Sequence, residues 1–193
     1  MTFFNMINIP IVLASQSPRR ADILRQAGLR FRAVSVPSDE RFVAGMPPFQ
    51  IAEYLANNKM QKSLHLKQNN EILLCADTIV VYEDTIYNKP KDEDDAIRML
   101  STLSDNTHTV YTGVSIAYKD HLVSFTEATQ VTFCKLSEKV IRSYMNKFNL
   151  MDKAGAYGIQ EGIGLYAVQR IVGCYFNVMG LPIHKVLHVI ENL

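Results

Sequence analysis

Few cysteines, almost no imbalance of charge and no long apolar run set the first limits on this chain of 193 residues. Cys75, Cys134 and Cys174 are odd in number, far apart and form no CxxC pair. Each lies in an apolar stretch and reads as a small buried hydrophobe in a reducing compartment. The formal charge is +1, so no global field draws nucleic acid or an acidic membrane. Any anion site must be local, and positive charge gathers early, at Arg19, Arg20, Arg25, Arg30 and Arg32. No apolar run approaches the ~20 residues that span a bilayer. The segment Met1-Thr2-Phe3-Phe4-Asn5-Met6-Ile7 is only faintly like a signal peptide. It lacks a basic start, is interrupted by Asn5 and Asn8, and runs into a candidate core strand. The chain reads as cytoplasmic, with no membrane and no nucleic-acid partner.

Other absences narrow the chemistry. There is no G-x-x-x-x-G-K-[ST] loop and no G-x-S-x-G elbow, so neither a P-loop ATPase nor a serine hydrolase has support. Gly162-Ile163-Gly164 lacks the third glycine and the preceding strand of a dinucleotide fingerprint. His184 and His188 have helical spacing but no glutamate in HExxH register and no third ligand, so they do not read as a zinc site. Internal repeats and low-complexity tracts are absent. At 48% hydrophobic and 20% charged, the composition is that of one globular domain spanning residues 1–193, in two lobes around a cleft.

What is present alternates between strand and helix. Ile9 to Ala14 is a continuous apolar run suited to a buried strand. Ser17 caps and Pro18 opens a helix to Ala27, stopped by Gly28. Leu29 to Val36 alternates as a strand and ends at Pro37-Ser38-Asp39-Glu40. Phe49 to Leu66 is a helix whose apolar stripe (Ile51, Ala52, Leu55, Ala56) brings Lys59 onto or beside it. Such a lysine either snorkels to water or marks a stripe that borders a cleft. Glu71 to Tyr82 reads as strand, polar break at Asp77-Thr78, then strand, followed by a turn at Glu83-Asp84 and a strand Thr85-Ile86-Tyr87. Asp92 to Leu103 is a helix whose acidic start complements its dipole. Thr109 to Tyr118 and Leu122 to Leu136 read as antiparallel strands, and Ser137 caps a further helix. The glycine-rich run from Asp152 to Gly164 reads as a functional loop. Leu165 to Val172 and Tyr175 to Val178 read as strands, and Leu181 to Leu193 as a closing helix. The sum is α/β with a mixed sheet.

Two places carry chemistry. Leu13-Ala14-Ser15-Gln16-Ser17-Pro18-Arg19-Arg20 leaves an apolar strand and sets two hydroxyls and two guanidiniums at a helix mouth. Unpaired N–H groups, a partial positive charge and planar cationic forks suit a phosphate chain. An ordinary helix start explains Ser17 and Pro18 but neither Ser15 nor the adjacent arginines. Asp77 follows five apolar residues, where a carboxylate is costly unless paired, metal-bound or at a strand end facing a cleft. It reads as a catalytic base or metal ligand, or as a turn residue capping Thr78 or Ile79. With Glu40, Lys59, Lys89, Arg19 and Arg20, it makes an inventory suited to metal-assisted attack on a nucleotide polyphosphate. A structural scatter of charges gives a similar inventory.

In order along the chain, several segments resemble the Maf family of nucleoside triphosphate pyrophosphatases. They are Leu13 to Arg20, Ser38-Asp39-Glu40, Ala76-Asp77-Thr78, Lys89-Pro90, AIRMLSTLS at 96–104, HTVYTGV at 108–114, DKAGAYGIQ at 152–160 and NVMGLP at 177–182. The DKAGAY version, with Gln160, is similar to the subgroup acting on dTTP and UTP. The resemblance implies a strongly curved central sheet with flanking helices in two lobes, as in inosine triphosphatases. It implies Asp77 as proton acceptor, and Arg19, Thr78 and Gln160 at specificity positions. Ser15, Arg19, Arg20, Lys59 and Lys89 would handle phosphate, and Glu40 with Asp77 a divalent cation, Mg²⁺ or Mn²⁺. Water would attack the α-phosphorus and release a monophosphate and pyrophosphate. Gln160 offers an N–H and a C=O that match the N3–H and O4 edge of uracil or thymine, although a flipped amide fits cytosine. Ser104-Asp105-Asn106 and Asn88 depart from the usual pattern as loop variation. The same reaction on inosine-type or methylated guanosine triphosphate is one rival; a nucleotide-sensing regulator of division without turnover is another. The C-terminal helix and apolar N-terminal segment leave a homodimer open.

Overall fold

The computed structural model describes residues 9–37, 41–42 and 45–193. Seven strands form a mixed sheet, in the order β2-β1-β3-β5-β6-β7 with β4 paired to β3. The chain divides into two compact units. The first takes residues Met1–Asp77, Thr112–Glu127 and Gly180–Leu193; the second takes Thr78–Tyr111 and Ala128–Met179.

In the first unit, β1 (Ile11–Ala14) is buried throughout because both of its edges are paired in parallel. It pairs with β2 (Phe31–Val34) on one side and with the start of β3 (Ile72–Tyr82) on the other, ending at Ala14 opposite Cys75. One face of these strands forms a core of Val12, Ala14, Leu73 and Cys75 with Val36, Met60 and Ala117. Helix α1 (Pro18–Gln26) starts at Pro18 with Ser17 at the N-cap. The cap side chain is idle, and the Ser17 amide donates instead to Ser15 Oγ at 3.1 Å. Gly28, at φ +71°, makes the turn out of the helix. Helix α2 (Pro48–Ser63) ends three residues short of the expected Leu66, where Leu64–Leu66 tightens into a 3-10 turn. Its backbone lies directly on β5 (Thr107–Tyr118): a Cβ on Gly113 would stand 2.0 Å from the carbonyl oxygen of Ala52. Helix α7 (Ile183–Glu191) closes this unit through Ile183, Val186, Leu187 and Ile190.

In the second unit, β3 turns through Glu83 and Asp84, both at positive φ, into β4 (Thr85–Tyr87). Two left-handed residues match the twist of paired strands. Helix α3 (Glu93–Leu103) is capped by Asp92, which accepts from the Asp95 amide at 2.8 Å. Its acidic first turn is a dipole match, as expected. Helix α4 (Glu138–Met145) follows β6 (His121–Phe133), and Ser137 caps it through the Val140 amide.

The structure corrects three expectations. Asp77-Thr78 does not break a strand: β3 runs unbroken through it for 11 residues. Extended backbone tolerates polar side chains where the neighbouring strand has already ended, and β1 stops opposite Cys75. Leu165–Ala167 belongs to helix α5 (Gly162–Ala167), not to the strand after it, so β7 is only Val168–Val172. Tyr175–Val178 is helix α6 rather than strand. It starts where the Cys174 amide donates to Thr129 Oγ1 at 3.0 Å, a tertiary contact with no trace in local periodicity.

Candidate active site

Beyond Ala14 the chain leaves the sheet for α1 while β3 continues, so the sheet opens beside Ser15, Ala76 and Asp77. Leu73, Cys75 and Asp77 alternate onto one face of β3. Leu73 and Cys75 enter the core, and Asp77 carries the same face past its end. Burial pushes the Cys75 thiol up to about 12. It therefore stays protonated at neutral pH and fills space, as its sequence context predicts.

Helical spacing buries two cations here. Arg20 shares a face of α1 with Ile23 and Leu24, at i+3 and i+4, and is buried with them; Arg19, one position back, is half-buried. Arg20 Nε donates to the carbonyl of Gly180 at 2.7 Å, and Nη1 to Ser15 Oγ at 3.1 Å. Burial lowers its pKa from the ordinary value, against the opposing charge of Asp77. Lys59 lies on the buried stripe of α2 between Ala56 and Met60. It does not snorkel: its Nζ donates to Asp77 Oδ2 at 2.7 Å and to the Ala76 carbonyl at 3.2 Å. Burial pushes the Lys59 pKa down and Asp77 pulls it back up. Ser15, Arg20, Lys59 and Asp77 thus form one connected corner in the first unit, with two cations against one carboxylate. Such a corner can take an anion and hold a carboxylate ready for a proton.

Thr78, half-buried, follows Asp77 on β3 and opens the second unit. Lys89 is exposed ahead of buried Pro90, and Gln160 is exposed in the glycine-rich segment. Both belong to the second unit. Glu40 lies outside the described residues. His184 and His188 are exposed. Among the described residues no group of three His, Cys, Asp or Glu side chains could hold a metal ion. No described helix is long and apolar enough to cross a membrane.

Sequence reasoning missed the carbonyl of Gly180, which receives Arg20. The available signal is the NVMGLP stretch at 177–182, which contains Gly180. It also missed the side chains around Gln160. Lys153, only 4% exposed, pairs with Asp152 at 3.0 Å and Glu161 at 3.1 Å. A buried lysine between two acids in a glycine-rich run was the available sign.

Strand end, helix mouth and buried cations define an α/β protein with a cationic corner beside one carboxylate. A family profile described as Maf-like protein matches residues 10–193, and the chain belongs to that family. Curated relatives called dTTP/UTP pyrophosphatase are similar over nearly the full length. The one from Porphyromonas gingivalis is 40% identical over 191 residues, covering 97% of this chain and 96% of its own. That from Bacteroides thetaiotaomicron is 39% identical over 190 residues, covering 98% of each. The Clostridium perfringens protein is 42% identical over 187 residues, covering 94% and 96%. The solved Ham1 protein of Staphylococcus aureus aligns with 64% of this chain and 71% of its own, at 14% identity and a TM-score of 0.43. So remote a likeness bears on neither fold nor chemistry.

Proposed function

We propose that this protein hydrolyses nucleoside triphosphates, dTTP and UTP, to the monophosphate and pyrophosphate. The observation that carries the reading is the Arg20–Ser15 and Lys59–Asp77 corner, in a chain whose relatives bear that name. Water attacks the α-phosphorus: an O–P bond forms, the bond from that phosphorus to the bridging oxygen breaks, and pyrophosphate departs. Asp77 takes the proton from the attacking water. Lys59, held against it, keeps the carboxylate ionised and aimed. Arg20 and Ser15, fixed by Gly180 and by the turn into α1, hold phosphate oxygens with the help of Arg19 and Lys89. Positioning and charge supply most of the rate in phosphoryl chemistry.

Asp77 offers hard oxygen donors at the mouth of this corner. A small divalent cation needs only one or two carboxylates when phosphates and water complete its shell, so the residues fit Mg²⁺ or Mn²⁺. Asp77 and Glu40 would hold it, and it would neutralise charge developing on the phosphates. Gln160 reads the pyrimidine through its amide, with Thr78 and Arg19 at the neighbouring specificity positions. Three free cysteines suit a reducing cytoplasm.

A panel of dTTP, UTP, CTP, ITP and N7-methylated GTP, followed by pyrophosphate release, tests the reading. dTTP and UTP are expected to turn over fastest, and EDTA to stop the reaction. Preference for ITP or methylated GTP overturns the base assignment. Tight binding of dTTP without turnover overturns the enzyme.

A further inference from the structure

Gln160 stands at the tip of a β-turn whose ends are tied to a single hydroxyl. The Glu161 amide donates to the Gly158 carbonyl at 3.0 Å, closing a four-residue turn with Gln160 third and exposed. Tyr144, from α4, accepts the Gly158 amide at 3.0 Å on its hydroxyl and donates that same hydroxyl to Glu161 Oε2. A phenol has one proton and two lone pairs, so both bonds form at once. The other oxygen of Glu161 pairs with buried Lys153 at 3.1 Å. Gly158 leaves room for this: a Cβ there would lie 2.9 Å from Glu161 Cδ and 3.1 Å from Lys153 Cε. Ile159 is buried between the two anchors, which leaves Gln160 as the outward member of a turn that cannot rotate.

We infer that Tyr144, with Glu161 and Lys153, is a specificity-positioning device that fixes the Gln160 amide for reading the base. This rests on Gln160 being the base reader. All three are assigned a positioning role, acting through Gln160. A half-buried carboxylate acceptor makes the Tyr144 bond stronger than a neutral one. Losing it removes a side-chain tie at both ends of the turn, because one oxygen serves both.

The test compares Tyr144→Phe, Gln160→Ala and the double variant on dTTP and on abasic deoxyribose triphosphate, which carries the same triphosphate and no base. Tyr144→Phe keeps the ring that packs on Phe148 at 5.1 Å. Each single variant is expected to lose about tenfold in kcat/KM on dTTP, mainly through KM, and to stay within about twofold on the abasic probe. The double variant is expected to be no worse than Gln160→Ala alone, because Tyr144 acts only through Gln160. Should Tyr144→Phe not fold, Glu161→Gln, which removes the charge that strengthens the hydroxyl's bond and that pairs with Lys153, carries the same comparison. Equal losses of Tyr144→Phe on both substrates, or additive losses in the double variant, overturn the positioning role. A selective loss in Gln160→Ala with none in Tyr144→Phe overturns the positioning and leaves the reader standing. No selective loss in Gln160→Ala overturns both.

Discussion

Lys59 and Asp77 meet at 2.7 Å, and the cation is the more deeply buried partner, its side chain 7% exposed against 15% for the carboxylate. An ammonium out of water is disfavoured. It persists at this position because the carboxylate stands against it. The pair therefore couples the stability of α2 against β3 to the residue proposed as the general base.

Asp77→Asn is expected to reduce kcat on dTTP by about a thousandfold, within the range that general-base removal costs, while circular dichroism stays native. Lys59→Met strands the carboxylate and is expected to lower stability by about 2 kcal/mol, less than for a fully buried pair. The Lys59→Met, Asp77→Asn double variant should recover part of that loss in urea denaturation. Near-normal pyrophosphate release by Asp77→Asn would rule out the assigned role.

Gly113→Ala probes the close approach of α2 to β5. The new methyl would stand 2.0 Å from the Ala52 oxygen and 2.5 Å from the Glu53 nitrogen, both backbone atoms that no rotamer change can move. The expected cost is about 3 kcal/mol or more, seen as a lower urea midpoint or insoluble expression. A variant as stable as the parent would mean that the helix can lift from the strand.

His108 gives a pH dependence. It is 1% exposed, its Nε2 lies 2.7 Å from the Tyr157 hydroxyl, and its Nδ1 has no hydrogen-bond partner. Burial lowers its pKa from 6.5 to about 4, so it is neutral in the folded protein at pH 7. Between those values the unfolded chain binds the proton and the folded one does not. Stability from this residue is thus complete above pH 6.5 and declines as pH falls towards 4, by on the order of 3 kcal/mol. Melting temperatures from pH 7 to 4 should fall less steeply in His108→Gln than in the parent. Parallel curves would place the titration elsewhere.

Much of this corner was legible in the sequence because it follows from helical and strand periods. Lys59 continues the stripe of Ala52, Leu55 and Ala56, and Arg20 precedes Ile23 and Leu24 by three and four residues. The expected helix start at Pro18, the turn at Glu83-Asp84, the acidic start of α3 and the cap at Ser137 depend on local chemistry, and all are present. Where tertiary contacts decide, periodicity was silent. The four residues of α6 follow a hydroxyl on β6, and Gly164, in the first turn of α5, has no space for a side chain, its Cβ position 1.7 Å from the Ile159 oxygen. Asp77-Thr78 reads as a break in sequence because a polar pair usually marks a change of backbone direction; in β3 only polarity changes.

The Arg20–Gly180 bond joins residues 160 positions apart. At translation speeds of about 5–20 residues per second, the guanidinium waits roughly 8–32 s on the ribosome before its acceptor exists. During that interval the N-terminal half carries an inward-facing cation without the carbonyl that holds it. Completion of this corner is therefore a late event in the life of each newly made chain, and a product truncated before Gly180 would hold Arg20 through Ser15 without its carbonyl partner.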